Sequence, residues 1–175
     1  MAKLRKGVAY RRLERPYTRR SRYLKLNYIR ASPPSKVTRY NMGNPHKKFE
    51  VTLNLKTKSD LQIRHNSIES ARQSSNRLLE KVLGKDNYYY MIRIYPHHIL
   101  RENPLATGAG ADRMSTGMQK AYGKPIGLAA QVHKGQTIFS LNVNKPNIKT
   151  ARLALKRASH KIACSTTIEI NENKV

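Results

Sequence analysis

The sequence has few acidic residues and a single cysteine. Its 175 residues include ten Asp and Glu against 35 Lys and Arg, which gives a formal net charge of +25. Charged residues make up 26% of the chain. That share is close to the average of about 25%, so the unusual property is the sign of the charge. A chain that repels itself this strongly is expected to bind a polyanion, and nucleic acid is the most abundant one.

Further absences exclude several classes of protein. The lone cysteine, Cys164, excludes a disulfide within the chain and a zinc site with four cysteines. No apolar run approaches the roughly 18–20 residues needed to cross a bilayer, so no membrane partner is expected. Charged residues interrupt the apolar residues near the N-terminus, so no signal peptide is predicted. A location in the cytosol or the nucleoid follows, with the nucleus left open by charge alone.

Positive charge is densest at the N-terminal end. Residues 1–48 contain 15 Lys and Arg but one acid, Glu14, and four prolines that would interrupt a long helix. Five tyrosines lie in the same stretch, whereas disordered tails are usually poor in aromatic residues. We therefore predict that residues 1–46 form a basic, largely extended arm that becomes ordered when it binds nucleic acid, and that residues 47–175 form a globular domain. A disordered solubilising tail is the alternative.

Apolar periodicity predicts an α+β fold. Predicted strands lie at residues 36–40, 49–55, 88–95, 126–132, 137–143 and 165–170, and Gly135 is predicted to turn a hairpin between the fourth and fifth of them. Asn66 is predicted to cap a helix, with Glu69 completing a capping box and Gly84 ending it, and Asn147 to cap a second helix. The predicted class is a mixed or antiparallel sheet with two covering helices, an extended arm, and one internal loop at about residues 102–125.

The second predicted helix has two contrasting sides. Its inner, apolar side holds Ile148, Ala151, Leu155, Ala158 and Ile162. The opposite side has one apolar exception, Leu153, and is otherwise made of the cations Lys149, Arg152, Lys156, Arg157 and Lys161. A solvated helix surface usually mixes charge signs, yet residues 145–168 contain no acid. A surface that faces phosphate groups explains this pattern better than a solvated one.

The arm combines arginine pairs with tyrosines, as in Tyr10-Arg11-Arg12 and in residues 17–23. Guanidinium groups bind phosphate in bidentate fashion, and both Arg and Tyr stack on exposed bases. Folded RNA offers unstacked bases and narrow clefts, whereas duplex DNA offers few. The arm therefore favours RNA as the partner.

The 24-residue loop from Glu102 to Pro125 is too long for a plain connector. A dinucleotide fingerprint is not supported, because Arg113 stands where the third glycine would be. A Walker loop is not supported either, because Pro125 follows Gly123-Lys124. Two alternatives remain: an unstructured surface loop, or a segment that orders against RNA through Arg113, Lys120 and Lys124.

No catalytic or metal-binding set stands out. The side chains of His97 and His98 diverge, and the other histidines lack ligand spacing with Cys164. The lone cysteine is expected to be a small buried residue, not a nucleophile. Asp112 is the only acid in the glycine-rich loop. We expect no cofactor, no metal and no enzymatic activity.

Several motifs resemble a known family. Glu102-Asn103, the run from Gly108 to Met118, and Gly123-Lys124-Pro125 resemble the universal large-subunit ribosomal proteins called L-sixteen in bacteria and L-ten-e in archaea and eukaryotes. Arg15-Pro16-Tyr17 and Tyr95-Pro96-His97-His98 resemble the archaeal and eukaryotic branch. Eukaryotic members carry cysteine in the arm and this chain does not, which indicates an archaeal member.

The resemblance implies an α/β sandwich that packs into large-subunit rRNA between the central protuberance and the peptidyl-transferase region. It further implies a single copy per subunit, contacts with neighbouring large-subunit proteins, and a cytoplasmic location on the ribosome. Peptide transfer belongs to the RNA, in agreement with the missing catalytic set. The residues predicted to bind rRNA are Arg5, Lys6, Arg11, Arg12, Arg15, Arg19, Arg20, Arg22, Lys25, Arg64, Arg101, Lys149, Arg152, Lys156 and Arg157.

The resemblance also assigns a role to the internal loop. The family's loop, here about residues 105–120, points toward the tRNA acceptor arms and helps to shape the site for aminoacyl-tRNA. The corresponding tRNA-proximal residues are Gly108, Gly110, Asp112, Arg113, Met114, Gly117 and Lys120. Two hypotheses from other classes stay open at this point: an RNA-modifying enzyme that uses Asp112 as a general base, and a chromatin-type DNA-binding protein.

Overall fold

The computed structural model describes residues 6–18, 29, 32–102 and 123–173. Over these ranges it contains eight strands and two α-helices, which confirms the α+β class. In chain order the elements are β1 Asn41–Gly43, β2 Val51–Thr57, β3 Leu61–Arg64, α1 His65–Leu83, β4 Tyr88–Ile92, β5 His98–Glu102, β6 Lys124–Val132, β7 Thr137–Val143, α2 Ile148–Ser159 and β8 Thr166–Glu172. No helix in the described ranges is long and apolar enough to span a membrane.

The strands form two sheets, and every pairing is antiparallel. The five-stranded sheet has the order β1-β4-β7-β2-β8, and the three-stranded sheet has the order β3-β6-β5. Helix α1 contacts β3, β4 and β6, whereas α2 contacts β2, β7 and β8, and the two helices pack against each other. The two helices therefore share one core with strands of both sheets, whereas the sequence indicated a single sheet.

The predicted hairpin at Gly135 is wrong, because β6 and β7 belong to different sheets. The chain turns a corner there, next to a second corner between β2 and β3. The hydroxyl of Thr57 donates to the carbonyl of His133 at 2.6 Å, and the Lys134 amide donates to Asp60 Oδ1 at 2.6 Å. Gly135 has φ +81°, so the turn was located correctly. A glycine turn looks the same in sequence whether the strands it joins pair or diverge.

The strand predicted at residues 36–40 is also wrong. The strand is Asn41–Gly43, which pairs with β4 along the edge of the large sheet. At Gly43 a Cβ atom would overlap the carbonyl oxygen of Tyr88, and φ is +84°, so the close approach requires glycine. Asn41–Gly43, which the sequence indicated as the end of a strand, thus form the strand itself.

Two strands, β3 and β5, were missed in the sequence. Their burial patterns run continuously, with three buried residues in succession, so they lack the alternation that marks a half-buried strand. Strand β3 also leads directly into α1, with Arg64 at the N-cap position and no capping bond from a side chain. The predicted capping box does not form, because Glu69 instead accepts hydrogen bonds from Arg72 and Gln73.

The core lies between the helices and the inner face of the five-stranded sheet. Its largest fully buried side chains include Tyr90 and Phe139, whose rings stack with centroids 5.4 Å apart. The buried hydroxyls of Ser75 and Tyr90 are hydrogen-bonded at 2.9 Å. Helix α2 begins after Asn147, which is at the predicted N-cap position but makes no side-chain capping bond, and it buries Leu155 together with three alanines. This packing directs the other side of α2 outward.

Candidate nucleic-acid interface

The first described stretch of the arm, residues 6–18, lies across one face of the three-stranded sheet. At the outer edge of β3, the carbonyl of Arg11 accepts a hydrogen bond from the backbone amide of Gln62 at 3.0 Å. On β6, the side chain of Gln131 donates to the carbonyl of Glu14 at 2.7 Å. The arm thus moves from β3 to β6 within three residues.

The crossing ends at β5, the other edge of the sheet. The amide of Tyr17 donates to His98 Nδ1 at 2.9 Å, and its carbonyl accepts a bond from the Ile99 amide at 3.2 Å. Because Nδ1 accepts this bond, the proton of the neutral imidazole is on Nε2. The arm consequently gives partners to backbone groups at both outer strands, which would otherwise be exposed sheet edges.

Two arginine–tyrosine stacks hold the arm against the sheet. The Arg64 guanidinium lies over the ring of Tyr10, 5.0 Å from its centroid, and the Arg101 guanidinium lies over the ring of Tyr17, at 3.7 Å. The Tyr10 ring is buried against Leu100 of β5 and Ala129 of β6. A cation over an aromatic face contributes about 0.5–2 kcal/mol. Both arginines were predicted to bind rRNA, and in the structure they pack on tyrosines of the arm.

These contacts change one expectation. Residues 6–18 pack on the sheet in the protein alone, whereas the sequence suggested that the arm orders on binding. Their exposed cations are Lys6, Arg11, Arg12 and Arg15, and none of the four has an ion-pair partner within the described ranges. The predicted contacts Arg5, Arg19, Arg20, Arg22 and Lys25 lie outside the described residues.

Helix α2 presents the basic face that its sequence predicted, defined here as Lys149, Arg152, Lys156, Arg157 and Lys161. All five residues are exposed, and none forms an ion pair with a described acidic residue. The buried side of the helix is Ala151, Ala154, Leu155 and Ala158. The exposed side of α1 differs, because Glu80 lies there beside Arg77 and Lys81. The basic face is therefore a property of α2 and not of both helices.

The internal loop leaves the three-stranded sheet from two paired strands. Glu102, at the end of β5, is the Cα partner of Lys124, at the start of β6. The Tyr10 hydroxyl donates to Glu102 Oε2 at 3.3 Å, so the arm contacts the base of the loop. The predicted tRNA-proximal residues lie between 103 and 122, outside the described residues. The base of the loop and the Tyr10 ring of the arm thus lie at the same end of the small sheet, while Tyr17 lies near the other end of β5.

Comparison with known proteins identifies the family. The family model described as "Ribosomal protein L16p/L10e" matches residues 13–169. The chain belongs to the L16p/L10e family of ribosomal proteins. It is 44% identical over 172 residues to "Large ribosomal subunit protein uL16" of Methanococcus maripaludis, covering 98% of this chain and 96% of the relative. The protein of the same name from Archaeoglobus fulgidus is 44% identical over 163 residues, with 93% and 90% covered.

A third relative, uL16 of Methanocella arvoryzae, is 43% identical over 89% of this chain and 88% of its own length. These relatives are archaeal, which confirms the archaeal member of the family that the motifs indicated. As an L16p/L10e protein the chain is a cytoplasmic ribosomal structural protein and not an enzyme. The alternative of an RNA-modifying enzyme that uses Asp112 is therefore wrong.

The titratable side chains agree with a structural role for this L16p/L10e protein. Burial lowers the pKa of His65, as do the neighbouring cations Lys36 and Arg64, so the imidazole is neutral at pH 7. Burial raises the pKa of the Cys164 thiol, which disfavours the reactive thiolate. Within the described ranges there is no group of three His, Cys, Asp or Glu residues that could hold a metal ion.

Sequence reasoning missed the residues that dock the arm. His98 is a buried polar residue on a strand that had not been recognised, and Gln131 lies on the neighbouring strand, whereas Gln62 contributes only its backbone amide. The only signal available was a polar residue inside a short apolar run. Such a residue does not identify its own partner, because the partner is distant in the chain.

Proposed function

We propose that the chain is a structural constituent of the large ribosomal subunit that binds large-subunit rRNA and helps to position tRNA. The arm at residues 1–46, Arg64, Arg101 and the basic face of α2 bind rRNA phosphates. The loop at about residues 105–120 acts on tRNA near the peptidyl-transferase region. The relatives' name, "Large ribosomal subunit protein", and the motifs of the loop support the assignment.

The observation that carries the proposal is the acid-free basic face of α2. Five exposed cations without a described acidic partner would repel one another in a free protein. On RNA each cation that neutralises a phosphate releases condensed counterions into bulk solution, which stabilises the complex at low salt. Because the arm and this face belong to one packed domain, a folded RNA can engage both.

The binding proposal is tested by co-sedimentation of the full chain with core large subunits from which this protein has been removed by salt. Replacing Arg19, Arg20 and Arg22 with Ala should weaken binding and lower the slope of log affinity against log salt by about 2–3 units, at 0.7–0.9 per lost phosphate contact. An unchanged slope would remove the arm from the interface. Competition with duplex DNA at matched salt separates this function from a DNA-binding one, because duplex DNA should compete poorly.

The tRNA proposal is tested by deleting residues 108–117. The variant should still join the large subunit, since residues 108–117 are distinct from the proposed rRNA contacts in the arm, at Arg64 and Arg101 and on α2. Its particles should be impaired in the binding of tRNA and in peptide synthesis. Normal translation by such particles would exclude the loop from the mechanism.

A further inference from the structure

A second aromatic feature lies beyond β4 and is separate from the arginine–tyrosine stacks. The side chain of Tyr95 is 52% exposed, although the ring is large and apolar. It stacks on Tyr40 with centroids 5.7 Å apart and an interplanar angle of 22°. The imidazole of His97 lies against it with centroids 4.6 Å apart. The three rings form an aromatic step that is open to solvent at Tyr95 and His97.

A cavity of about 200 Å³ adjoins this step. Its lining includes two rings of the step, two aliphatic side chains of the small sheet and two residues that carry hydroxyl groups, namely Tyr95, His97, Ile99, Leu128, Thr18 and Ser32. Pockets for whole cofactors or drug-sized ligands are larger, at roughly 300–1,000 Å³. The cavity therefore suits a single flat ring system with a polar edge.

Positive charge lies next to the cavity. Tyr17 packs against the same Ile99 and Leu128 that line it, and the Arg101 guanidinium lies 3.7 Å from the centroid of the Tyr17 ring. The site thus joins an aromatic surface, hydroxyl groups and a cation within one small region.

We propose that this cavity binds one unpaired nucleobase of large-subunit rRNA. The base stacks on the Tyr95 ring, the tilted His97 ring contacts it from the side, and its polar edge meets the hydroxyls of Thr18 and Ser32. Folded RNA presents unstacked bases, and proteins recognise them by stacking on Tyr and His and by hydrogen bonds to the base edge. The net charge of +25 favours RNA over a protein side chain as the occupant. This inference rests on the proposed rRNA binding.

The test compares full-length variants in binding to core large subunits at several salt concentrations. Tyr95→Leu should weaken binding about tenfold at every salt concentration, because base stacking is lost and no charge is removed. The salt slope should stay that of the wild type. Tyr95→Phe keeps the ring and should bind as the wild type does. Tyr89→Leu is the matched control, since Tyr89 lies on the large sheet with its hydroxyl on Asn41, and it should have no effect on affinity.

A second measurement does not depend on any variant. Ultraviolet cross-linking of the wild-type protein in assembled subunits, followed by mass spectrometry, should attach Tyr95 or His97 to a single rRNA nucleotide. Attachment to a peptide of a neighbouring ribosomal protein would overturn the inference in favour of a protein partner. Unchanged affinity of Tyr95→Leu would also overturn it while the proposed function stands. Failure of the wild-type chain to bind the particles would instead refute the proposed function.

Discussion

Neutralising part of the α2 basic face gives the sharpest test of how this chain holds RNA. We consider replacing Lys149, Arg152 and Lys156 with Gln, which removes three positive charges from one side of the helix. The three side chains are exposed and have no ion-pair partner within the described part of the chain. Gln has a helix propensity close to that of Lys and Arg, so α2 should persist. The free energy of unfolding should change by no more than about 0.5 kcal/mol.

The expected loss follows from counterion release. Each phosphate contact contributes about 0.7–0.9 to the slope of log affinity against log salt, so three lost contacts lower the slope by about 2–3 units. Between 50 and 200 mM salt, the wild-type affinity should therefore fall about 20–40-fold more than that of the variant. Co-sedimentation with core large subunits across this salt range measures both slopes.

A matched variant separates the basic face from net charge. Replacing Arg77, Lys81 and Lys85 with Gln removes the same charge from the end of α1 and the turn after it, where Glu80 lies among the cations. This control should keep a slope close to that of the wild type. If both triple variants lowered the slope equally, the attraction would be diffuse and the assignment of phosphate contacts to α2 would be refuted.

Three further predictions concern the stability of the fold. Ser75→Ala should lower the free energy of unfolding, measured by chemical denaturation, by about 1–3 kcal/mol because it leaves the buried Tyr90 hydroxyl without its partner. Adding Tyr90→Phe should recover part of that loss, and additive losses in the double variant would contradict this reasoning. Hydrogen bonds from Arg72 lower the pKa of Glu69, so this pair stabilises the fold fully above the ordinary carboxyl pKa of 4.5 and loses that effect as the pH falls through the lower pKa of the folded state. Arg72→Met should therefore reduce the loss of stability in acid, and an unchanged pH profile would argue against the pair. Burial lowers the pKa of His65 below 6.5, so the unfolded chain binds the proton more readily and the free energy of unfolding should decline as the pH falls below 6.5. His65→Gln should remove that decline. If the decline persists in the variant, other groups cause it.

The basic face of α2 could be predicted from the sequence because it depends on local periodicity alone. A helix places residues three and four apart on one side, so the apolar stripe through Ala151 and Leu155 fixes which side is buried. The cations at the other positions of the helix must then face outward. No distant contact enters this inference, and the structure agrees with it.

Strands β3 and β5 of the small sheet and its contacts with the arm could not be predicted, because they depend on residues that are distant in the chain. Strand β3 has only four residues, and β5 pairs with β6 across the long loop. The arm bonds that complete this sheet join Tyr17 to His98 and Glu14 to Gln131, which lie 81 and 117 positions apart in the chain. Each bond needs a buried polar group to meet one specific carbonyl or amide. Composition and periodicity carry no information about such pairs.

The docking of the arm has a consequence for both segments that are proposed to bind RNA. The chain continues toward residues 19–25 from Tyr17, which is held on β5 by Arg101, and the loop begins directly after Glu102, which the Tyr10 hydroxyl contacts. Both segments therefore start from the same small sheet, the continuation of the arm near the His98 end of β5 and the loop at its Glu102 end. A segment whose end is fixed has fewer conformations before it binds, so it loses less conformational entropy on binding. This lowers the ordering cost, which is roughly 1–2 kcal/mol per residue for a free segment. On this reasoning, the small sheet is an anchor that delivers two basic segments to RNA at a defined distance from each other.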